Sequence, residues 1–317
     1  MIYGKLNSLA PFATQESWDN SGLLVGDPGA EVKTALVVLD ITAEAVREAR
    51  EIGAELIISH HPVIFHPLKK VESGSVVWEL AQAGISAICA HTNLDKARGG
   101  VNDCLAAALG LEHVTNYAVE GREKHYKLAV FVPVSHAEAV RHAMIGAGAG
   151  TIGGYTGCTF SVEGTGRFVP GEGTNPWLGQ PGQEESAAEV RLETVVPAGK
   201  LDAVLTAMRQ AHPYEVPAFD VVESVREGQE IAIGRIGELP EPLSPQEFAR
   251  LCADRLNAGV RWNRKGRTIR KVAVLGGAGG DYLHPAAAAG ADALVTGEAK
   301  HHEYLEAVRM GITLLDA

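Results

Sequence analysis

At 317 residues the chain exceeds the length that a single hydrophobic core usually supports, so we expect two domains. Its composition, with 46% hydrophobic and 21% charged residues, excludes the disordered and fibrous classes. The formal net charge of −11 argues against binding to nucleic acids, because an acidic surface gains nothing from the counterions that a phosphate backbone releases.

The cysteines and the hydropathy of the chain indicate a cytoplasmic protein with no membrane segment. The four cysteines are scattered and include no CxxC pair, which fits neither a disulfide framework nor a zinc knuckle. Residues 1–13 contain no apolar stretch of the kind found in secretion signals. No apolar run reaches the ~18 residues that a membrane-spanning helix needs.

The first third of the chain alternates between predicted strands and helices. Short apolar runs predict the strands, and apolar residues at helical spacing, closed by a glycine, predict the helices. The predicted strands are Ala35–Leu39, Leu56–Ile58 and Ala87–Ala90, and the helices are Ala43–Ile52 and Val76–Ala83. This alternation is typical of βαβ units, so we expect a mostly parallel sheet flanked by helices.

The middle of the chain has a different order of elements. In sequence these are strand Tyr126–Pro133, helix Ala137–Gly146, strands Cys158–Val162 and Val190–Val196, helix Leu201–Ala211 and strand Val216–Val222. The order βαββαβ is that of an α+β, ferredoxin-like domain. We expect the glycine- and proline-rich stretch Gly164–Gly182 between the two central strands to be a loop.

The last quarter returns to the first pattern. Its predicted elements are strand Lys271–Leu275, helix Pro285–Ala289, strand Ala293–Thr296, helix His301–Arg309 and strand Ile312–Leu315. The sequence of residues 53–60 is similar to that of residues 290–297, which is compatible with a weak internal duplication. We therefore predict a split α/β domain, residues 1–122 and 226–317, with the α+β domain of residues 123–225 inserted into it.

Clusters of potential metal ligands directly follow three of the predicted strands. In chain order they are His60 and His61, then His91 and Asp95, then Glu298, His301 and His302. Parallel strands end at one edge of a sheet, where open α/β sheets bind their ligands. We therefore expect these clusters to gather at one edge and His60, His61 and Asp95 to bind metal. His91 and His302 either support those ligands or have a structural role.

The adjacent pair His60 and His61 suggests the number of ions. Neighbouring side chains of an extended chain point in opposite directions, so the two histidines would bind one ion each. This favours two divalent ions, about 3.5–4 Å apart as in two-metal sites. The carboxylate of Asp95 suits such ions, whether Zn, Mn, Fe or similar.

Two further motifs leave alternatives open. The glycine-rich stretch Gly276–Gly280 follows a strand, and a tight turn is favoured there over a cradle for a phosphate group. Trp18 stands directly before the turn residues Asp19, Asn20 and Ser21. Packing of its ring is the default expectation, and a place in the lining of the cleft is the alternative.

The motifs together resemble those of the Nif-three-like family, whose members are also called GTP cyclohydrolase I type 2 homologues. The matching segments span nearly the whole chain. They are residues 18–23 (WDNSGL), 39–42 (LDIT), 59–62 (SHHP), 91–95 (HTNLD), 234–237 (GRIG) and 296–298 (TGE). Residues 164–166 (GTG) and 212–215 (HPYE) resemble the PII-like, or CutA-like, insertion of the longer family members.

The resemblance implies a dinuclear metal centre in a ring-shaped homohexamer. It makes the residues that match His60, His61 and Asp95 metal ligands, and it adds a His and a Glu from a Gly-His-x-x-x-Glu motif. In the family that motif follows the strand matching residues 311–317, so we expect these two ligands to lie after Ala317.

Two functions follow from the resemblance. The first is a metal-dependent hydrolase that acts on a nucleotide or a small phosphorylated substrate, with Glu298 or His302 either moving protons or orienting a ligand. The second is a regulatory or scaffold protein whose metals are structural and whose PII-like domain senses a small effector or binds a partner.

Overall fold

The computed structural model describes residues 2–225, 228–264 and 266–317. The chain divides into two compact units. The first unit comprises the chain up to Gly121 and from Glu230 onward, and the second unit is Arg122–Gln229. Residue 226, where we placed the start of the last segment, lies outside the described residues.

The bounds of the elements are as follows. The helices are α1 (Ile2–Leu9), α2 (Ala43–Ile52), α3 (Val76–Ala83), α4 (Thr92–Lys96), α5 (Val101–Ala108), α6 (Ala137–Gly146), α7 (Leu201–Ala211), α8 (Pro245–Leu256), α9 (Leu283–Ala288) and α10 (His301–Met310). The strands are β1 (Gly22–Val25), β2 (Ala35–Val38), β3 (Leu56–Ser59), β4 (Ser86–Cys89), β5 (Glu112–Arg122), β6 (His125–Pro133), β7 (Thr159–Phe168), β8 (Glu185–Pro197), β9 (Phe219–Ser224), β10 (Glu230–Leu243), β11 (Arg261–Trp262), β12 (Ile269–Leu275), β13 (Ala293–Thr296) and β14 (Thr313–Asp316).

A four-stranded sheet in the first unit has the order β1-β4-β3-β2. Strands β2, β3 and β4 are parallel, and β1 is antiparallel to β4. Both crossover helices have sharp ends set by the sequence: the side chains of Thr42 and Ser75 accept from backbone amides at their starts, and glycines with positive φ end them. The fully buried Ile57 and Leu80 pack in the core beneath these helices, and burying such a side chain contributes about 1.5–3 kcal/mol.

A second, six-stranded sheet in the first unit has the order β11-β14-β13-β12-β10-β5. Strands β12, β13 and β14 are parallel, and β10 and β11 pair antiparallel at either side of them. Separate apolar cores lie on its two faces, one including Phe248 of α8 and the other Ala307 of α10.

The expectation that all three ligand clusters would share one sheet edge is wrong. Strand β13 belongs to the six-stranded sheet, whereas β3 and β4 belong to the four-stranded one. The four-stranded sheet is mostly parallel, as predicted, with β1 as its antiparallel strand, whereas the six-stranded sheet has antiparallel strands on both sides of its three parallel ones. Those bordering strands lie outside the βαβ repeats, and no periodicity in the sequence reveals which sheet a strand joins.

The second unit has its elements in the order βαββαβ and forms one antiparallel sheet, β7-β8-β6-β9. Helices α6 and α7 pack on each other, and the core includes Val140, Met144 and Met208. That this unit is a PII-like insertion stays a prediction.

The predicted loop Gly164–Gly182 is partly a strand, which corrects our expectation. Strand β7 continues to Phe168 and pairs with β8 as far as Glu185. A Cβ atom at Gly166 would collide with the Glu189 carboxylate, so a larger residue there would require that side chain to move. Gly166 therefore marks a close approach between side chain and backbone within the sheet.

Candidate metal centre

Two neighbouring parallel strands bring the histidines together. Ser59 at the end of β3 is in register with Cys89 at the end of β4, so the residues that follow leave the sheet side by side. The backbone continues the pairing for one residue more, where the Ala90 amide donates to the Ser59 carbonyl at 2.9 Å. His60 and His91 therefore lie at the same edge of the four-stranded sheet.

His60, His61 and His91 form what we call the histidine cluster. One ring nitrogen from each lies within 4.8 Å of the others. The ring centroids of His60 and His61 are 5.1 Å apart, and that of His91 is 5.2 Å and 5.6 Å from them. Within the described residues, this is the group of three such side chains close enough to hold a metal ion.

Two expectations about the histidines change with these distances. The side chains of His60 and His61 do not point apart, because β3 ends at Ser59 and the alternation of an extended strand no longer applies beyond it. The alternation argument for two ions is therefore wrong, although two ions are still compatible with the spacing. His91, which we expected to be at most a support, lies in the cluster itself.

Each histidine is held through its Nδ1 atom. The distances are 3.0 Å from His60 Nδ1 to the Ala90 carbonyl, 2.7 Å from His61 Nδ1 to Asp40 Oδ1, and 2.8 Å from His91 Nδ1 to Asp19 Oδ1. Carbonyl and carboxylate oxygens only accept, so Nδ1 carries the proton in each ring. The Nε2 atom of each neutral ring then keeps a free lone pair, which is the arrangement found in metal-binding histidines.

Asp95 adds a carboxylate to the cluster. It lies on the short helix α4, is 9% exposed, and places Oδ1 3.7 Å from Nε2 of His60. Burial raises the pKa of Asp95 to about 6, against the opposing influence of His91. A cation in the cluster would offset that cost, because an ionised carboxylate away from water needs a positive partner.

Asp19 anchors His91 from a distant part of the chain. Its carboxylate accepts from the ring of His91 and from the amide and hydroxyl of Thr92. Burial alone would raise the pKa of Asp19, but these hydrogen bonds and one from the Asn20 amide hold that pKa well below its usual range. Burial lowers the pKa of His91, and the Asp19 carboxylate more than restores it, so the pKa of His91 is raised.

His60 has the opposite balance. Burial lowers its pKa, and the neighbouring His91 and His61 lower it further, although the hydrogen bond to the Ala90 carbonyl opposes them. His60 is therefore neutral near pH 7, as a metal ligand must be. The three imidazoles form a donor set that fits a divalent ion such as Zn²⁺, Mn²⁺ or Fe²⁺, and the Asp95 carboxylate lies beside one of them, His60.

Asp40 and Asp19 were missed in the sequence. Asp40 follows β2 shortly after its end, as His60 follows β3, so the same strand-end reasoning could have found it. Asp19 carries no such signal, because it lies in a loop 72 residues before His91.

Glu298 follows β13, and His302 lies in the first turn of α10. Both are exposed, and His302 Nε2 is 4.0 Å from Glu303 within helix α10. The cluster that the described residues form does not include either of them. Their supporting role around the metal stays a prediction. The expectation that motivated it, a common sheet edge for all three clusters, is wrong because β13 lies in the six-stranded sheet.

The glycine-rich stretch after β12 is a turn in which two of the amides donate hydrogen bonds to side chains of the protein. Gly276 N–H donates to Asn102 Oδ1, and Gly279 N–H donates to Thr296 Oγ1. The Gly277 carbonyl accepts from the amides of Gly297 and Glu298. These bonds favour the tight turn over the phosphate cradle.

A search of the described residues found no helix whose length and apolar character would let it cross a membrane.

Comparisons with known proteins agree over almost the whole chain. The Duf34/NIF3 (NGG1p interacting factor 3) family matches residues 1–317. The GTP cyclohydrolase 1 type 2 homolog of Halalkalibacterium halodurans is 42% identical over 305 residues, covering 94% of this chain and 82% of that protein. The Bacillus subtilis protein of the same name is 40% identical over 313 residues, covering 97% and 84%. A crystal structure of a Bacillus cereus protein related to NIF3 has 42% identity and a TM-score of 0.79, covering 98% of this chain and 85% of that one.

Proposed function

This chain belongs to the Duf34/NIF3 family, and on that premise we propose that it binds two divalent metal ions and hydrolyses a nucleotide or another small phosphorylated substrate. The observation that carries the proposal is the histidine cluster, in which three rings are fixed through Nδ1 and keep Nε2 for an ion. The spacing of up to 4.8 Å between ligand atoms is compatible with one ion or with two.

The roles of the chain's own residues follow from their contacts. His60, His61 and Asp95, with His91, would hold the ions, and Asp40 and Asp19 keep the rings of His61 and His91 in the required tautomer and orientation. Bound divalent ions supply Lewis-acid catalysis and a water whose pKa is lowered towards about 7.

The substrate class is supported by the relatives. Two relatives at 40% and 42% identity carry the name GTP cyclohydrolase 1 type 2 homolog, which points to addition of water to a purine ring. We extend that chemistry to this chain as part of the proposal. Assembly into a homohexamer, implied by the family resemblance, is likewise a proposal.

Titration calorimetry and turnover assays test the proposal together. The metal-free protein is titrated with Zn²⁺ and with Mn²⁺, and the loaded protein is assayed for ring opening and phosphate release with GTP and other nucleotides. We expect the double variant His60→Ala, His61→Ala to lose at least about 100-fold in metal affinity, together with turnover.

The matched control is the double variant His301→Ala, His302→Ala, which removes two exposed histidines of α10. It should keep the metal affinity and the turnover of the wild type. Undiminished metal binding by the variant at residues 60 and 61, or turnover that survives chelation, would contradict the proposal.

A further inference from the structure

Two exposed aromatic side chains border the histidine cluster. Trp18 is 57% exposed and Phe65 is 41% exposed. Their ring centroids are 6.0 Å apart, and the ring of Trp18 is 6.2 Å from that of His91. We call Trp18 and Phe65 the aromatic pair. Tryptophan is highly buried on average, so its exposure beside a cluster of potential ligands needs a reason.

The loops that carry the aromatic pair are held in place. Asn20 Nδ2 donates to the Ile64 carbonyl at 2.6 Å, which ties the Trp18 loop to the Phe65 loop. Asp19, next to Trp18, is bonded to His91 and Thr92. The loops that carry the two rings therefore have a fixed position relative to the histidines. Packing, our default expectation for Trp18, does not account for a ring that is 57% exposed.

We propose that the aromatic pair is the surface on which a planar heteroaromatic ring of the substrate, of purine size, stacks beside the histidine cluster. The inference rests on the proposed function, because it assigns a binding role to side chains around the same site. Aromatic faces bind base-like rings by stacking, whereas the imidazoles and carboxylates next to them suit the polar part of the same molecule. Holding the ring there brings the reacting atoms towards the cluster.

Fluorine NMR tests the contact without depending on turnover. The chain has four tryptophans, so 5-fluorotryptophan labelling gives four signals, and Trp18→Phe identifies that of Trp18. Guanosine monophosphate is added to the whole protein, with and without Zn²⁺, and ribose 5-phosphate serves as the probe that lacks the ring. We expect the nucleotide to shift the Trp18 signal and ribose 5-phosphate to leave it unchanged.

Affinities of variants test the energetic part. Trp18→Leu should weaken binding of guanosine monophosphate by about 5- to 150-fold, and Trp18→Phe should retain most of the affinity. Trp78→Leu is the matched control, because Trp78 is 40% exposed and lies on α3 in the same unit. The affinity of Trp18→Leu for Zn²⁺ should equal that of the wild type, which shows that the cluster is intact.

The outcomes separate this inference from the proposed function. A Trp18 shift by the nucleotide in a protein that binds no Zn²⁺ would support the aromatic pair and sink the metal-dependent hydrolase. Normal Zn²⁺ binding with no Trp18 shift, or with equal shifts by both probes, would overturn the inference alone. Full nucleotide affinity of Trp18→Leu would also overturn it. A changed sedimentation coefficient of that variant would then show that Trp18 is instead a contact between copies of the chain.

Discussion

Each of the two sheets of the first unit contains three parallel strands of its own. The polar residues that follow the carboxyl ends of those strands have different roles in the two sheets. After β3 and β4, three imidazoles lie close enough together to hold a metal ion, and the buried carboxylate of Asp95 is 3.7 Å from one of them. At β12 and β13 the polar groups bond to each other: Thr296 Oγ1 donates to the Gly277 carbonyl at 2.8 Å and accepts from the Gly279 amide. Polar groups at a strand end thus indicate a ligand only where the protein leaves their lone pairs available.

The largest expected effect distinguishes His91 from His302, one at the end of each region. His91→Ala should lower the affinity for Zn²⁺ by at least about 100-fold, because it removes an imidazole from the cluster. His302→Ala should leave the affinity unchanged, because His302 is exposed on α10. Titration calorimetry measures both affinities. Equal losses of Zn²⁺ affinity in the two variants would show that the metal site is not confined to the residues that follow the four-stranded sheet.

The second-largest expected effect concerns Asp40, whose carboxylate accepts a hydrogen bond from His61 Nδ1. Asp40→Ala removes the acceptor of the His61 Nδ1 proton and frees the ring, so metal affinity should fall about 10- to 100-fold. Asp281→Ala, in the turn region of the six-stranded sheet, is the control and should have no effect. Titration calorimetry with Zn²⁺ measures both affinities, and a wild-type affinity of Asp40→Ala would show that Asp40 does not orient the ring.

A third test concerns stability at the six-stranded sheet. Thr296→Val removes two hydrogen bonds at a 1% exposed position, one of them accepted from the buried Gly279 amide, so unfolding free energy should fall by about 1–3 kcal/mol. Thr313→Val is the matched control, because Thr313 Oγ1 has no hydrogen-bond partner among the described residues and little should be lost. Urea denaturation measures both changes, provided that the unfolding free energy depends on urea concentration with the same slope in variant and wild type. A neutral Thr296→Val would mean that the turn does not depend on that hydroxyl.

The smallest expected effect is a pH-dependent one at Asp95 in the metal-free protein. Burial raises the pKa of Asp95 from 3.8 to about 6, so the folded state holds this proton more tightly than the unfolded state does. Binding of this proton therefore stabilises the folded state fully at pH values below the pKa of Asp95 in the unfolded chain, and the stabilisation is lost as pH rises through about 6. At pH 7 Asp95→Asn should therefore stabilise the metal-free protein by about 1 kcal/mol.

Thermal or urea unfolding at two pH values checks this sign. The advantage of Asp95→Asn should shrink towards pH 4, and saturating Zn²⁺ should stabilise the wild type more than the variant. If Asp95→Asn is less stable than the metal-free wild type at pH 7, the ionised Asp95 carboxylate must be stabilised by a partner in the folded protein even without a metal ion.

Local signals in the sequence were sufficient for most of the regular elements. The predicted bounds of α2, α3, α6 and α7 are confirmed, because a start signal, a helical apolar spacing or a terminal glycine acts within a few residues. Helix α8 was missed although Ser244 and Glu247 form a capping box before it, so that signal was present and unused. Strands β1, β5, β10 and β11 were missed, since their pairing is not local.

The sequence by itself determined that histidines and carboxylates follow buried strands, because a strand and the residue after it are adjacent in the chain. Only the tertiary structure decided which of these groups meet. The segments around His60 and Gly297 look alike in sequence, but non-local hydrogen bonds place β3 and β13 in different sheets. Beyond Ser59 the strand geometry no longer fixes side-chain direction, so the approach of His60 to His61 was not predictable. The bond from His91 to Asp19 joins residues 72 positions apart, and only folding brings them together.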